Sequence, residues 1–331
     1  MEDLFTDAAE RLFSSQATPK LVRAAETGDN CKDLWDEIHQ AGFADALGPE
    51  DKGGAGLGLG DVFGVLMECG AALLPVPLGF TMLARALLAQ EGADIPEGPI
   101  TIAANAAIAA DGSMTCQNVS WGMTADWIVT PLPNRGWHIL KNENAVPSLH
   151  ASWQADLHWQ STEAKCLPCG IDFDWLSAAA AIIAAHMAGS MGRILTMTID
   201  YANQRVQFGK PIGKLQAIQQ QISLMAEQVY AARMAAQMGC SGKGLAPNPL
   251  LAATAKARAG AASVPVSQIA HAVFGAMGIT QECDLQLHTR RLYEARSAFG
   301  SDAFWNSRIG HGYLKSNAAS SLDFVRCHLS P

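Results

Sequence analysis

The sequence predicts a mainly α-helical protein with a small β domain between two helical regions. In the first region apolar residues recur at the three-to-four-residue spacing of a helix, as in Leu34, Trp35 and Ile38. In the middle of the chain this spacing gives way to short apolar runs separated by turn residues, a pattern that indicates strands. Helical spacing then returns and dominates the rest of the chain. The predicted domains are residues 1–93, 94–170 and 171–331.

The N-terminal region is predicted to be helical from Leu4 to about Leu88, with one interruption at the glycine-rich loop 48–56. The glycines of this loop do not spell G-x-G-x-x-G, and no strand pattern precedes them. We therefore do not interpret the loop as a dinucleotide-binding turn.

The middle region contains two apolar runs, at residues 127–130 and 137–140. Pro131, Pro133 and an Asn-Arg-Gly turn separate these runs, as expected for the two strands of a hairpin. A small β domain is therefore predicted.

The C-terminal region carries four long helical patterns, which predict a helix bundle. In the second of them Leu215, Ile218 and Ile222 begin one continuous apolar stripe. Pro265 lies inside the third, where we expect a kink or a break. The four predicted helices are Leu176–Arg205, Lys214–Met238, Leu250–Phe274 and Asp284–Ala298.

The overall composition excludes several kinds of partner and setting. A formal net charge of −8 leaves no basic excess for a phosphate backbone, so we exclude nucleic acid. The eight cysteines show no disulfide-framework spacing, which favours a reduced, cytoplasmic setting. The most apolar run, Leu176–Met191, is shorter than the roughly 20 residues that a membrane crossing needs, so no membrane insertion is expected.

No metal site is predicted. The chain has one Cys-x-x-Cys pair, Cys166 and Cys169, but no second pair or histidine cluster that would complete a tetrahedral zinc site. His186, His271 and His288 are scattered without ligand spacing.

Three motifs occur in the order seen in a known enzyme family. One of them is the segment Tyr201–Ala217, with the sequence YANQRVQFGKPIGKLQA, which contains R-x-x-F-G followed by Q-A. The others are a P-E-x-x-G-G-x-G-L loop at Pro49–Leu57 and the turn Phe274-Gly-Ala-Met-Gly278, which is similar to an F-G-G-x-G turn. With these motifs and its α-β-α order, the chain resembles the acyl-CoA dehydrogenase superfamily over essentially its whole length.

The resemblance implies an FAD site that lies across a subunit interface. Arg205 would offer a fixed cation to the FAD pyrophosphate, and Phe208 would pack the turn against the cofactor. Gly275 and Gly278 would let the backbone approach the flavin of a neighbouring subunit. In an alternative that stays open, Arg205 caps helix carbonyls and the glycines only form a turn. The residues implied to bind the cofactor are Arg205, Gln207, Phe208, Gln216, Phe274, Gly275, Ala276 and Gly278.

The chemistry of that superfamily removes two hydrogens from the α and β carbons of an acyl-CoA thioester. A glutamate takes the α proton as general base, and the β hydrogen leaves as hydride to the flavin. Counted from the motifs, the two positions that the family uses for this glutamate fall on Phe299-Gly300 and on Ala179. Neither position is acidic, so the chain departs from the family at its catalytic base.

Carboxylates near those positions are Asp302, Glu294, Asp174 and Asp172. Asp302 is the best candidate for a displaced base, because it lies three residues after Phe299. Its alternative interpretation is the N-cap of a helix that begins at Ala303.

A second departure lies in the predicted β domain. The family's T-E-P-x-x-G-S-D stretch, which surrounds the flavin ring, has no counterpart between Asp94 and Gly170. The chain therefore resembles the degenerate subunit of heteromeric bacterial members that act on sterol side chains or other bulky acyl-CoA esters. Two alternatives are a self-sufficient dehydrogenase with Asp302 as base and a flavin-free scaffold or binding protein.

The expected partners follow from the resemblance. They are acyl-CoA as substrate, a homologous acyl-CoA dehydrogenase subunit, and an electron-transfer flavoprotein as electron acceptor. The alanine-rich composition, 49% hydrophobic, also favours an oligomer with extensive buried helix interfaces.

Overall fold

The structure is a computed structural model that describes residues 2–132, 136–142, 145–147, 153–160, 165–166, 173–242 and 244–329. Its residues form two compact units. The first unit comprises Met1–Gly64, Leu74–Ala179 and Lys243–Ala246, and the second comprises Val65–Leu73, Ala180–Gly242 and Pro247–Pro331. The three-domain division expected from the sequence stays a prediction.

The N-terminal region is helical, as its apolar spacing predicts. Its helices are α1 (Glu2–Gln16), α2 (Pro19–Glu26), α3 (Lys32–Gln40), α4 (Phe63–Ala71) and α5 (Leu78–Gln90). Thr18 begins α2, because its hydroxyl accepts a hydrogen bond from the Leu21 N–H at 3.3 Å. In the glycine-rich loop the Gly56 N–H donates to the Gly48 carbonyl at 2.7 Å. This amide is therefore engaged within the loop and does not face a ligand.

Two four-stranded sheets follow in the first unit. The strands are β1 (Ile100–Ile102), β2 (Ala107–Ile108), β3 (Met114–Ser120), β4 (Trp127–Leu132), β5 (Gly136–Lys141), β6 (Ala145–Pro147), β7 (Gln154–Trp159) and β8 (Lys165–Cys166). They are ordered β1-β4-β5-β8 in one sheet and β2-β3-β7-β6 in the other. The predicted hairpin is β4–β5, which pairs antiparallel from Trp127 opposite Lys141 to Leu132 opposite Gly136. Its turn, residues 133–135, lies outside the described residues.

The four predicted C-terminal helices are present, and two shorter helices follow them. The elements are α6 (Trp175–Gln204), β9 (Val206–Gln207), β10 (Lys210–Pro211), α7 (Gln216–Cys240), α8 (Pro249–Phe274), α9 (Leu285–Ser297), α10 (Asp302–Lys315) and α11 (Ser321–His328). The prediction of a break at Pro265 is wrong, because α8 continues through this residue. The carbonyl that loses its helical hydrogen bond belongs to Ala261, an exposed residue, so water can hydrate that carbonyl.

Two helices are long and apolar enough to cross a membrane by length and composition alone, α6 and the helical segment Pro249–Ile279. The apolar part of α6 is thus longer than the run of residues 176–191 considered from the sequence. However, 89% of its apolar window is buried inside the protein. A core helix that is apolar on all sides has this property.

Two glycines bring α4 and α6 into backbone contact within the second unit. A methyl group added at Gly189 would overlap the Met67 carbonyl oxygen, and one at Gly70 would overlap the His186 carbonyl oxygen. At Gly192, further along α6, no atom lies within 4 Å of the position that a methyl group would take. The same helix therefore carries one glycine that packing requires and one that it does not.

We expect Gly189→Ala to lower the free energy of unfolding by about 2–3 kcal/mol, because an added methyl forces two helix backbones apart. Gly192→Ala is the matched control on α6 and should be neutral or stabilising by up to about 1 kcal/mol, since alanine favours helix over glycine. Urea unfolding of both variants measures the difference. Equal stabilities would show that the backbones do not touch at Gly189.

Candidate functional site

The arginine implied to bind the cofactor stands directly after α6. Its N–H donates to the Tyr201 carbonyl at 2.8 Å, and its carbonyl accepts from the Ile212 N–H at 2.8 Å. Both backbone groups of Arg205 are thus fixed by secondary structure, whereas its side chain is exposed. Among the described residues, the guanidinium makes neither an ion pair nor a hydrogen bond to a helix carbonyl. This geometry leaves the guanidinium available to an anion and does not favour the capping alternative.

A strained aromatic residue lies at the tip of the hairpin that follows. Because β9 and β10 pair with Gln207 opposite Lys210, Phe208 and Gly209 form a two-residue turn. Their φ values, 53° and 74°, are both positive, as a type I′ turn requires. Phe208 is nevertheless 89% exposed. Its ring is therefore accessible to another molecule.

The two glycines of the turn after α8 differ in backbone conformation and in burial. Gly275 has φ 61° and ψ −144°, a backbone conformation that residues with side chains avoid, and the space around it is open. Gly278 is buried, and a methyl group there would lie 3.0 Å from His271 Nδ1 and from Phe274 Cβ. The exposed Gly275 and Ala276 can therefore approach a ligand, whereas Gly278 lacks a side chain for reasons of internal packing.

The two segments meet through a pair of aromatic rings. Tyr201 of α6 stacks on Phe274 of α8 with ring centroids 4.2 Å apart and an angle of 14° between the planes. The Tyr201 hydroxyl also donates to the Phe274 carbonyl at 3.3 Å. Beneath them Ala202, Ile212 and Val273 form a small apolar cluster. Folding thus gathers the Arg205 motif and the glycine turn, which lie far apart in the sequence, into one region of the second unit.

The residues present in this region fit the phosphate-bearing part of FAD. A planar guanidinium pairs with phosphate oxygens through two parallel hydrogen bonds, and Arg205 is exposed for this purpose. Gln207 and Gln216 are exposed as well and offer amide donors. Phe208 offers an aromatic face, and Gly275 offers backbone without a side chain. The group of residues implied by the resemblance is therefore compatible with an anionic dinucleotide.

Neither of the positions counted from the motifs for the family's base carries an acid. Phe299 and Gly300 form the turn between α9 and α10, with φ values of 55° and 107°. The Nζ of Lys256 holds this turn, because it donates to the Gly300 carbonyl at 3.1 Å and to the Arg296 carbonyl at 2.9 Å. Burial lowers the pKa of Lys256 to about 8, an effect that the carboxylate of Asp302 opposes.

Asp302, the candidate displaced base, is placed in an ion pair. Its Oδ2 accepts from Arg296 Nε at 2.7 Å and from Arg296 Nη2 at 2.6 Å. The expected N-cap role is wrong by one residue, because the Ser301 hydroxyl accepts from the Phe304 N–H and α10 begins at Asp302 itself. The Ser301 hydroxyl caps the helix at its third residue, Phe304, while the Asp302 carboxylate binds Arg296. Two nitrogens of Arg296 thus hold one oxygen of Asp302, and this charge-assisted contact favours a structural role for the carboxylate.

Two histidines of the second unit are buried, His186 on α6 and His288 on α9. Ser190 Oγ is 3.0 Å from His288 Nδ1. Burial, followed by the Arg193 and Arg291 guanidinium groups, lowers the pKa of His288 to about 3. Burial, followed by Arg291, lowers the pKa of His186 to about 3. Both side chains are therefore neutral at physiological pH.

Among the residues that the structure describes, no group of three or more histidine, cysteine, aspartate or glutamate side chains could hold a metal ion. The side chains of Cys166 and Cys169 lie outside the described part of the chain. His271 is engaged by protein, because its Nε2 is 2.9 Å from the Thr289 hydroxyl.

Helical regions on either side of small sheets, with two of the three motifs brought together in the C-terminal region, are typical of an acyl-CoA dehydrogenase-like protein. Residues 1–94 match the family model "Acyl-CoA dehydrogenase, N-terminal domain". Residues 175–314 match the model "Acyl-CoA dehydrogenase, C-terminal domain". The chain belongs to the acyl-CoA dehydrogenase family, as its three motifs predict.

Two known relatives cover most of the chain. Acyl-CoA dehydrogenase IpdE2 of Mycobacterium tuberculosis (strain ATCC 25618 / H37Rv) is 32% identical over 296 residues, which cover 88% of this chain and 90% of the relative. Acyl-CoA dehydrogenase IpdE2 of Mycolicibacterium smegmatis (strain ATCC 700084 / mc(2)155) is 30% identical over 319 residues, 90% of this chain and 94% of the relative.

Solved structures agree on the fold. A chain of the ChsE4-ChsE5 complex from Mycobacterium tuberculosis superposes with a TM-score of 0.80 at 20% identity, covering 96% of this chain and 98% of that one. A steroid ACAD variant, Tcur3481-Tcur3483, gives a TM-score of 0.79 at 23% identity and covers 96% of this chain and 99% of its own. At these identities the two structures support the fold alone.

Proposed function

We propose that this chain is the subunit without the catalytic base in a heteromeric, FAD-dependent acyl-CoA dehydrogenase. One observation carries the proposal. The segment with Arg205 and the turn at 274–278 lie together through the contact between Tyr201 and Phe274, whereas Phe299, Gly300 and the buried Ala179, the positions counted from the motifs for the base, carry no acid. Such a chain can complete a cofactor site but has no carboxylate at either position to remove the α proton.

In this proposal each of the two subunits supplies part of the active site. Arg205, Phe208 and the glycine turn hold FAD from one side, and the homologous partner subunit supplies the base and the loop that covers the flavin. When bound, FAD supplies the acceptor for the β hydride. An electron-transfer flavoprotein then receives the electrons.

The substrate class and the setting are also proposals. One structurally similar protein is described as a steroid ACAD, and another is a complex of two differently named proteins, ChsE4 and ChsE5. We therefore place steroid-type acyl-CoA esters first among the substrates to test and a heteromer first among the assemblies. A cytoplasmic setting fits the cysteine usage described above.

The experiment is co-expression with each acyl-CoA dehydrogenase homologue that is encoded beside this chain. We expect this chain alone to purify colourless and inactive. With its partner it should co-purify with a yellow flavin spectrum and oxidise an acyl-CoA ester. The proposal would be contradicted if the chain purified alone with bound FAD and oxidised an acyl-CoA ester. If no assembly contained flavin, the scaffold alternative would be favoured.

Asp302→Asn separates the proposed heteromer from a self-sufficient enzyme with a displaced base. We expect turnover per bound flavin to stay within about twofold, and the free energy of unfolding to fall by about 1–2 kcal/mol, because a charged hydrogen-bond acceptor of Arg296 is lost. Asp7→Asn, at an exposed position on α1, is the control for removal of a carboxylate. Abolished turnover in a folded Asp302→Asn assembly would instead identify Asp302 as the base.

A further inference from the structure

Tyr201 connects the two segments of the cofactor-binding region, although neither the motif nor the family resemblance gave it a role. It stands one helical turn before Arg205, whose N–H donates to the Tyr201 carbonyl. Its ring lies on that of Phe274, and the stack is close and nearly parallel. The same residue is thus bonded through its backbone to the arginine and through its side chain to the residue before Gly275.

The hydroxyl bond has a specific place in the helix. Phe274 is the final residue of α8 and also caps the short 3₁₀ helix Gly275–Ile279 that follows, so its carbonyl lies where one helix passes into the next. The N–H of the same peptide group, that of Gly275, donates to the His271 carbonyl. Tyr201 Oη donates to that carbonyl at 3.3 Å. The hydroxyl therefore fixes the peptide group that links Phe274 to Gly275, which is the peptide that starts the exposed turn.

We propose that Tyr201 is a positioning residue that sets the distance and the orientation between Arg205 and the turn at 274–278, so that one dinucleotide can contact both. The inference rests on the proposed function of the region as an FAD site. Gly275 adopts a conformation that residues with side chains avoid, and the 3₁₀ helix Gly275–Ile279 is short, so contacts with neighbouring elements supplement its internal hydrogen bonds in orienting the turn. The ring stack and the hydroxyl bond supply that orientation from α6, the helix that carries Arg205.

Two substitutions separate the contributions of the ring and the hydroxyl. Tyr201→Phe keeps the stack and loses the hydrogen bond, and Tyr201→Leu loses both. FAD affinity of the assembly should fall about threefold for the first, in line with the net value of one hydrogen bond, and at least tenfold for the second. Tyr293→Leu on α9, a half-exposed tyrosine outside this region, is the matched control and should leave affinity unchanged.

A second readout does not need FAD. Amide hydrogen exchange in the FAD-free protein should become faster at residues 205–212 and 275–280 in Tyr201→Leu, with less change in Tyr201→Phe and none in Tyr293→Leu. A purely structural role would lower the thermal midpoint while affinity of the folded assembly and exchange at the two segments stayed at wild-type values. That result would overturn the inference.

The outcomes also separate this inference from the function on which it rests. If the wild-type assembly binds no FAD, the proposed function fails. If wild type binds FAD and Arg205→Ala weakens binding while Tyr201→Leu does not, only the positioning role fails. Should Tyr201→Leu not fold, Tyr201→Phe decides alone, since equal FAD affinity and equal exchange in Tyr201→Phe and wild type would contradict the role of the hydroxyl.

Discussion

Replacing Arg205 with alanine is expected to weaken FAD binding by the assembly roughly a hundredfold. The side chain is exposed beside the turn at 274–278, and a charge-assisted pair of hydrogen bonds to phosphate is worth about 3 kcal/mol, which corresponds to that factor. Folding should be nearly unaffected, because among the described residues the guanidinium contacts no ion-pair partner. Fluorescence titration of the FAD-free assembly with FAD measures the affinity.

Arg205→Lys tests the geometry of the contact. It keeps the charge but not the planar fork, so we expect a loss of about tenfold, intermediate between wild type and alanine. Arg326→Ala, at an exposed position on α11, controls for removal of one positive charge. If the Arg205 and Arg326 variants bound FAD equally well, the cofactor role of Arg205 would be untenable.

Acid is expected to destabilise the second unit through His186 and His288. Both pKa values are lowered by burial to about 3, whereas the unfolded chain takes up protons near the ordinary value of 6.5. Below pH 6.5 the unfolded state therefore binds more protons than the folded state, and the free energy of unfolding falls as pH falls toward 3. Each histidine contributes up to about 1.4 kcal/mol per pH unit in this window.

His288→Gln isolates one of the two contributions. Glutamine can still bond the Ser190 hydroxyl but does not titrate, so the slope of stability against pH between 6 and 4 should decrease by about 1.4 kcal/mol per pH unit. Arg193 and Arg291, the charged groups that lower the pKa of His288, remain in place. His328→Gln on α11 is the control. Urea unfolding at several pH values gives the slopes, and an unchanged slope in His288→Gln would refute the assignment.

Local patterns were sufficient to predict the four long C-terminal helices and the hairpin of the β domain. The apolar spacing of the helix after Gly213 and the turn residues between the runs at 127–130 and 137–140 depend on neighbours within a few positions, so they can be recognised in the sequence alone. The exceptions have local explanations too. Pro265 does not break α8, because the carbonyl that it frees lies at an exposed position. Helix α10 was anticipated only as a helix starting near Ala303.

The candidate site was only partly visible in the sequence. The motifs identified Arg205, Phe208 and the glycine turn as separate segments. No sequence signal distinguished Gly275, whose backbone conformation favours glycine, from Gly278, where close packing leaves little room for a side chain. The role of Lys256 was missed entirely. A lysine in an apolar helix carries no sign that it will be fully buried and will bind two carbonyls of a distant turn.

By itself the sequence determined the family, the fold class and the four long helices of the C-terminal region. Only the tertiary structure decided that Tyr201 meets Phe274, 73 positions away, and that Asp302 pairs with Arg296. The physical reason is that hydrogen bonds within helices and turns link near neighbours, whose identities can be read together. Contacts between distant segments depend instead on how whole helices pack, which no short pattern encodes.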